Sequence, residues 1–222
     1  AVRHCAPLRV LYCSEIGEVP TETLVTVISS LRELESLDLR WAYRGAPTRK
    51  LIRPLSEHCP KLKSLYLNDD SVGQADLDRL TSRCTQLTTL VLSIKRSSFS
   101  LNAAQLHCLT TLKVDTRGAL PEWNLVRILF CCPSLRDLSF MSAQTVLQSE
   151  QIVTTIALNC PRLESFYIFF CSESLQQQLL QLQAKRISEG RKFACTVSEV
   201  VPSTVTDHVL HRVRTWISAH IL

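Results

Sequence analysis

The chain has 222 residues, of which 45% are hydrophobic and 20% charged, with five glycines and a formal net charge of +5. That composition excludes intrinsic disorder and allows one sizeable core without covalent staples. The basic residues are scattered, the densest group (Arg44, Arg49, Lys50 and Arg53) being soon followed by Asp69 and Asp70, so they read as a solvated surface and not as a nucleic-acid track.

Taken in chain order, one hexameric pattern returns seven times. It reads Leu8, Leu11, Cys13; Leu34, Leu37, Leu39; Leu62, Leu65, Leu67; Leu87, Leu90, Leu92; Leu109, Leu112, Val114; Leu135, Leu138, Phe140; and Leu163, Phe166, Ile168. Successive first positions are 26, 28, 25, 22, 26 and 28 residues apart. Three residues before the first position stands a cysteine in five units: Cys5, Cys59, Cys84, Cys132 and Cys160. Proline follows three of them, at Pro60, Pro133 and Pro161, which stops a helix and turns the chain into a short strand. A free cysteine is a compact apolar group suited to such a buried turn.

Helical spacing fills the intervals. Thr21 is placed to cap a helix carrying Leu24, Val27, Ile28 and Leu31. Pro54 interrupts Leu51 to His58, which predicts a short or bent helix there. Ser71 or the residues after it open a helix with Leu77 and Leu80, and Ser149 opens one with Ile152, Ile156 and Ala157. The 22-residue unit between Leu87 and Leu109 contains Ser97, Ser98 and Ser100 and is expected to replace its helix with a loop. Each unit is thus one strand and one helix, neither able to bury its apolar face alone, so neighbours must stack. The expected fold class is α/β: a solenoid curved like a horseshoe, with a parallel sheet on the concave face and helices on the convex face. Residues 1–171 are read as about seven repeats, the first incomplete, and 172–222 as a capping region. In that region Ser174 to Ile187 is amphipathic, Phe193 to Val201 alternates like a strand, and a helix is expected from about Ser203 through Val209, Val213 and Trp216 to Ile221.

At Cys59-Pro60-x-Leu62-x-x-Leu65-x-Leu67, Cys132-Pro133-x-Leu135-x-x-Leu138-x-Phe140 and Cys160-Pro161-x-Leu163-x-x-Phe166-x-Ile168-x-x-Cys171, the chain resembles the cysteine-containing leucine-rich repeats typical of F-box/leucine-rich-repeat proteins. The likeness covers about residues 5–171. It implies the substrate-binding repeats of an SCF-type ubiquitin ligase receptor, which would meet a Skp adaptor and cullin only through a segment not in this chain. The family's second cysteine stands only at Cys171; Ala42, Asp70, Lys95, Arg117 and Ala143 hold that place elsewhere. The alternative is an interaction scaffold or inhibitor with no link to ubiquitin.

Alternation along each strand points the consensus residues inward and their neighbours outward. The position between the second and third apolar residues gives Tyr12, Asp38, Tyr66, Val91, Lys113, Ser139 and Tyr167; two further on stand Ser14, Arg40, Asn68, Ser93, Asp115, Met141 and Phe169. The position after that, with Trp41, Asp69, Ile94, Thr116, Ser142 and Phe170, is also expected outward. Aromatic and arginine side chains anchor interfaces, so the expected partner-binding residues are Tyr12, Asp38, Arg40, Trp41, Tyr66, Asn68, Lys113, Asp115, Met141, Tyr167 and Phe169.

Catalytic chemistry is not visible. Five glycines leave no phosphate loop. His208 and His211 share a helix face without a further ligand pair, and the neighbours His4-Cys5, His58-Cys59 and His107-Cys108 recur with the repeat, whereas a nucleophile would be singular. No enzyme activity, cofactor or metal is expected. No apolar run approaches the roughly 20 residues that span a bilayer, and there is no signal-peptide pattern. No Asn-x-Ser/Thr sequon occurs, and most cysteines are spoken for by the repeat, so the expectation is a reducing cytoplasmic or nuclear home, a protein partner, and neither nucleic acid nor membrane.

Overall fold

The computed structural model describes residues 7–12, 20–39, 49–68, 72–94, 106–116, 121–142 and 145–201. In chain order these form β1 (Val10–Tyr12), α1 (Thr21–Ser30), β2 (Ser36–Asp38), α2 (Arg49–His58), β3 (Ser64–Asn68), α3 (Gln74–Arg83), β4 (Thr89–Ile94), β5 (Thr111–Thr116), α4 (Glu122–Cys131), β6 (Asp137–Ser142), α5 (Glu150–Asn159), β7 (Ser165–Ser172), α6 (Glu173–Ser188) and β8 (Ala194–Val201). All eight strands lie in one sheet, parallel, in sequence order. Each of α1 to α3 packs on the next, as do α4 to α6. With every strand parallel and in sequence order, crossovers of the one usual hand put these helices on the same face of the sheet. The other face carries no described helix.

One buried row explains the register. Leu11, Leu37, Leu65, Leu90, Leu112, Leu138 and Phe166 align across β1 to β7, and Cys195 continues the row on β8. From Leu37 to Phe166 every member is buried, and each leucine contributes roughly 1.5–3 kcal/mol relative to exposure. A shift by one residue would turn the whole row to the open face, so the apolar pattern fixes the pairing.

A second row, at the strand entrances, ties unit to unit through the backbone. The carbonyls of Arg9, Glu35, Lys63, Thr88, Thr110 and Arg136 each accept two successive N–H groups of the next unit, at 2.7–3.0 Å. The side chains of this row are matched as well. Glu35 lies 2.7 Å from Lys63 and 3.8 Å from Arg9, and Arg136 lies 3.3 Å from Glu164. The hydrogen bond from Lys63 holds the Glu35 carboxyl below its ordinary range. Where charges give way to Thr88 and Thr110, each hydroxyl donates to the preceding unit's carbonyl, Lys63 O at 3.1 Å and Thr88 O at 3.0 Å.

The cysteines sit where helices end. Cys84, Cys132 and Cys160 follow α3, α4 and α5 directly, each with its N–H returned to the carbonyl four residues earlier. Their thiols work across units. Cys59 Sγ lies 3.5 Å from Leu31 O and 3.8 Å from Ile28 O, and Cys160 Sγ donates to Leu129 O at 3.0 Å. Ile28 O and Leu31 O already receive backbone N–H groups, so the Cys59 thiol from the next unit adds a further polar contact at the helix end.

At the final unit the same task falls to Arg186. Arg186 is 1% exposed, and its guanidinium donates to Ile156 O (2.7 Å), Cys160 O (3.0 Å) and Leu163 O (3.0 Å), the carbonyls where α5 ends and the next strand begins. It also lies 4.7 Å from the centre of the Phe193 ring, a cation–π contact.

Several local expectations need correction. Thr21 is the first helical residue, with Pro20 at the N-cap. Proline's fixed backbone suits the entry, and its missing N–H is not needed there. Before α3 the cap is Gly73, whose N–H donates to Asp76 Oδ2 at 3.0 Å. Pro54 does not shorten α2, which has ten residues like α1, α3, α4 and α5; its ring is buried and only the bond to Lys50 O is lost. Ser149 caps α5 as its position suggests, accepting from the Gln151 N–H at 3.2 Å. Helix α4 supplies the helix expected of each unit in the stretch between Leu112 and Leu135, for which no residues had been singled out. Between β4 and β5 the described residues contain no helix. The expected strand near the end of the chain is present at Ala194–Val201, where it pairs in parallel with β7 and adds an eighth strand to the sheet. The helix expected from Ser203 to Ile221, and Cys5 with its turn, lie outside the described residues.

Two stability predictions follow from this packing. Leu65→Ala should cost about 2–5 kcal/mol through a core cavity, read from chemical denaturation followed by circular dichroism. Arg186→Ala should cost about 1.5–3 kcal/mol by removing charge-assisted hydrogen bonds to three buried carbonyls, and Arg186→Lys should recover only part of that, since an ammonium lacks the planar fork.

Candidate functional site: the open face of the sheet

The face away from the helices is built from the residues that alternate with the buried row. Tyr12, Asp38, Tyr66, Val91, Lys113, Ser139, Tyr167 and Thr196 are paired in register from β1 to β8. With strands about 4.8 Å apart, Tyr66 and Tyr167 stand about 19 Å from one another with Lys113 midway. Tyr66 and Tyr167 are half-buried and Lys113 is exposed. Tyr12, on the edge strand, is 69% exposed. A second row runs Asn68, Ser93, Asp115, Met141, of which Asn68 and Asp115 are exposed and Met141 half-buried. Phe169 follows Ile168, the partner of Phe140, one residue past the recorded β6–β7 pairing; it is half-buried and meets Phe170 edge-on at 4.5 Å.

The structure therefore brings Tyr66, Asn68, Lys113, Asp115, Met141, Tyr167 and Phe169 onto one surface, with Tyr12 at its margin. Asp38 is corrected. It shares the row but is only 8% exposed, a short side chain between two tyrosines, and is not displayed. Arg40 and Trp41 lie outside the described residues, as do Ser14 and Asp69.

The position that follows the second row is also corrected, since Thr116, Ser142 and Phe170 are buried at 2–3% exposure. Alternation returns that position to the helix side, so two outward residues in succession were one too many.

Reading from the sequence missed the outward row at the strand starts: Ser36, Ser64, Thr89, Thr111, Asp137 and Ser165. Small hydroxyls dominate it, and Thr111 Oγ1 donates to Asp137 Oδ2 at 3.4 Å. Their signal was present, one residue before each inward leucine, but they lack the bulk that marks an anchor. Thr196 was missed because β8 was assigned to a cap.

The thiols are placed for structure. Burial pushes Cys59 and Cys132 up to about 12 and Cys84 and Cys160 up to about 11, which withholds the thiolate that a nucleophile or metal ligand needs. Cys59 Sγ points at helix carbonyls, not at the neighbouring His58. Among the described residues no three His, Cys, Asp or Glu side chains come together as a metal site; His208 and His211 lie outside them. No helix of the described residues is long and apolar enough to cross a membrane. No protein-family model matches the chain.

A thiol-labelling experiment checks this assignment. Native protein treated with a maleimide should be modified rapidly at the exposed Cys108, while Cys59, Cys84, Cys132 and Cys160 react only once denaturant opens the stack. Rapid native labelling of the buried four would contradict it.

Proposed function

We propose that this chain is a leucine-rich-repeat horseshoe that works as a protein-recognition module, the substrate-binding repeat domain of an SCF-type ubiquitin ligase receptor. The observation that carries the recognition role is the register row Tyr66–Val91–Lys113–Ser139–Tyr167 on a sheet face that no described helix covers. Two tyrosines flank a flexible cation there, with Met141 and Phe169 beside one end. Tyrosine supplies large contact area with a polar tip and loses little conformational freedom on binding, which makes it a frequent anchor.

The link to ubiquitin is supported by the Cys-Pro turns at Cys59, Cys132 and Cys160 and the repeat they introduce. On this reading the chain works in the cytoplasm or nucleus, without a cofactor or a catalytic role of its own. Binding would draw on rigid anchors held by neighbouring strands, so little ordering is needed on contact.

The experiment has two arms. Immunoprecipitation of the full-length protein from cells should recover a Skp adaptor and a cullin together with a substrate; their absence while another partner is retained would favour a scaffold or inhibitor. Against whichever protein is retained, Tyr66→Ala with Lys113→Ala should weaken binding at least about tenfold while circular dichroism stays unchanged. Unchanged affinity would mean that a different surface is used.

A further inference from the structure

The outer helix layer repeats as regularly as the sheet, so equivalent positions can be compared across units. Two residues before each helix-terminal turn position lie Ser29 on α1, Glu57 on α2, Ser82 on α3, Phe130 on α4 and Leu158 on α5. The first three are polar. The last two are large, apolar and 67% and 74% exposed. On α6, Leu180 lies eight residues past its N-cap Ser172, close to the height of Phe130 and Leu158, each nine past Pro121 and Ser149. Trp123, one helical face with Phe130, and Ile187, one face with Leu180, extend the same apolar band, each more than half exposed. No helix among α1, α2 and α3 exposes a large hydrophobic side chain at any described position.

Three sister units hold this column with serine or glutamate, so the stack does not need an apolar group there. Five exposed hydrophobics are instead concentrated on three adjoining helices, an accumulation of the kind that marks an interaction surface. We propose that the outer face of α4, α5 and α6 is a self-association surface that packs against a second copy of this chain.

Area and charge both fit that occupant. Each of the five side chains offers on the order of 100 Å² of accessible surface, so the band supplies on the order of 500 Å² per copy. A standard interface buries about 800 Å² per partner, and about 60% of it is apolar. The band meets the apolar share, and its polar surroundings supply the remainder. Those surroundings carry both signs, Arg127 and Lys185 against Glu150 and Glu173, all exposed. A two-fold interface sets a surface against itself, and a margin of mixed sign can face its own copy without repulsion.

The test is the mass of the purified chain by sedimentation equilibrium over a wide range of concentration. The expected result is a dimer whose dissociation constant rises at least about tenfold in Phe130→Ser with Leu158→Ser, and likewise in Leu180→Gln. Serine at this column is already tolerated at Ser29 and Ser82, and circular dichroism confirms that the variants fold. A chain that stays monomeric at every concentration overturns the proposal. So does a dimer that both variants leave intact, which would place the contact elsewhere.

Discussion

One shared carbonyl per unit holds this architecture together. At Arg9, Glu35, Lys63, Thr88, Thr110 and Arg136 a single backbone oxygen receives two N–H groups from the following turn. That bond sets the height at which each new strand begins, and every later feature inherits the height. The leucine row meets leucine, the outward tyrosines fall into line, and the helix ends arrive beside the thiols of the next unit. Intervals from 22 to 28 residues can all be accommodated because the variation lies away from this joint. The 22-residue unit still pairs β5 with β4 over six residues.

Satisfying the helix termini is the second demand of such a stack. A sheet strand finds partners on both sides, but the last carbonyls of a buried helix find none within the helix itself. Cysteine answers with a small donor that also tolerates apolar surroundings. Arg186 answers with a larger one, reaching three carbonyls at once where the incoming segment is longer and carries no cysteine. Its guanidinium remains charged under burial because each carbonyl and the Phe193 ring replace part of the lost water.

Much of this was legible in the residues. The spacing of Leu34, Leu62, Leu87, Leu109, Leu135 and Leu163 located the strands, and their parity located the two faces. Legibility failed where one residue's meaning depends on another far along the chain. Nothing near Arg186 in the sequence announces that the end of α5 will lie against it. Phe193 to Val201 showed strand alternation, yet its lack of the leucine spacing hid that it would extend the sheet. Asp38 belongs to the outward row by parity, yet it is only 8% exposed, a burial that depends on neighbours from other units and that parity does not foretell. The band on α4 to α6 escaped because helical periodicity identifies the core-facing residues and says little about why an outward one should be apolar.

Sheet order equal to chain order has a further implication for how damage spreads. Each unit touches only the unit before and after it, so cooperativity is passed hand to hand along a line and not pooled in a common centre. Lesions near β1 can fray that end while the middle persists, and two lesions several units apart should act independently. A lesion at the centre, by contrast, divides the line into two short runs, each with a newly bared edge strand that invites pairing with another molecule.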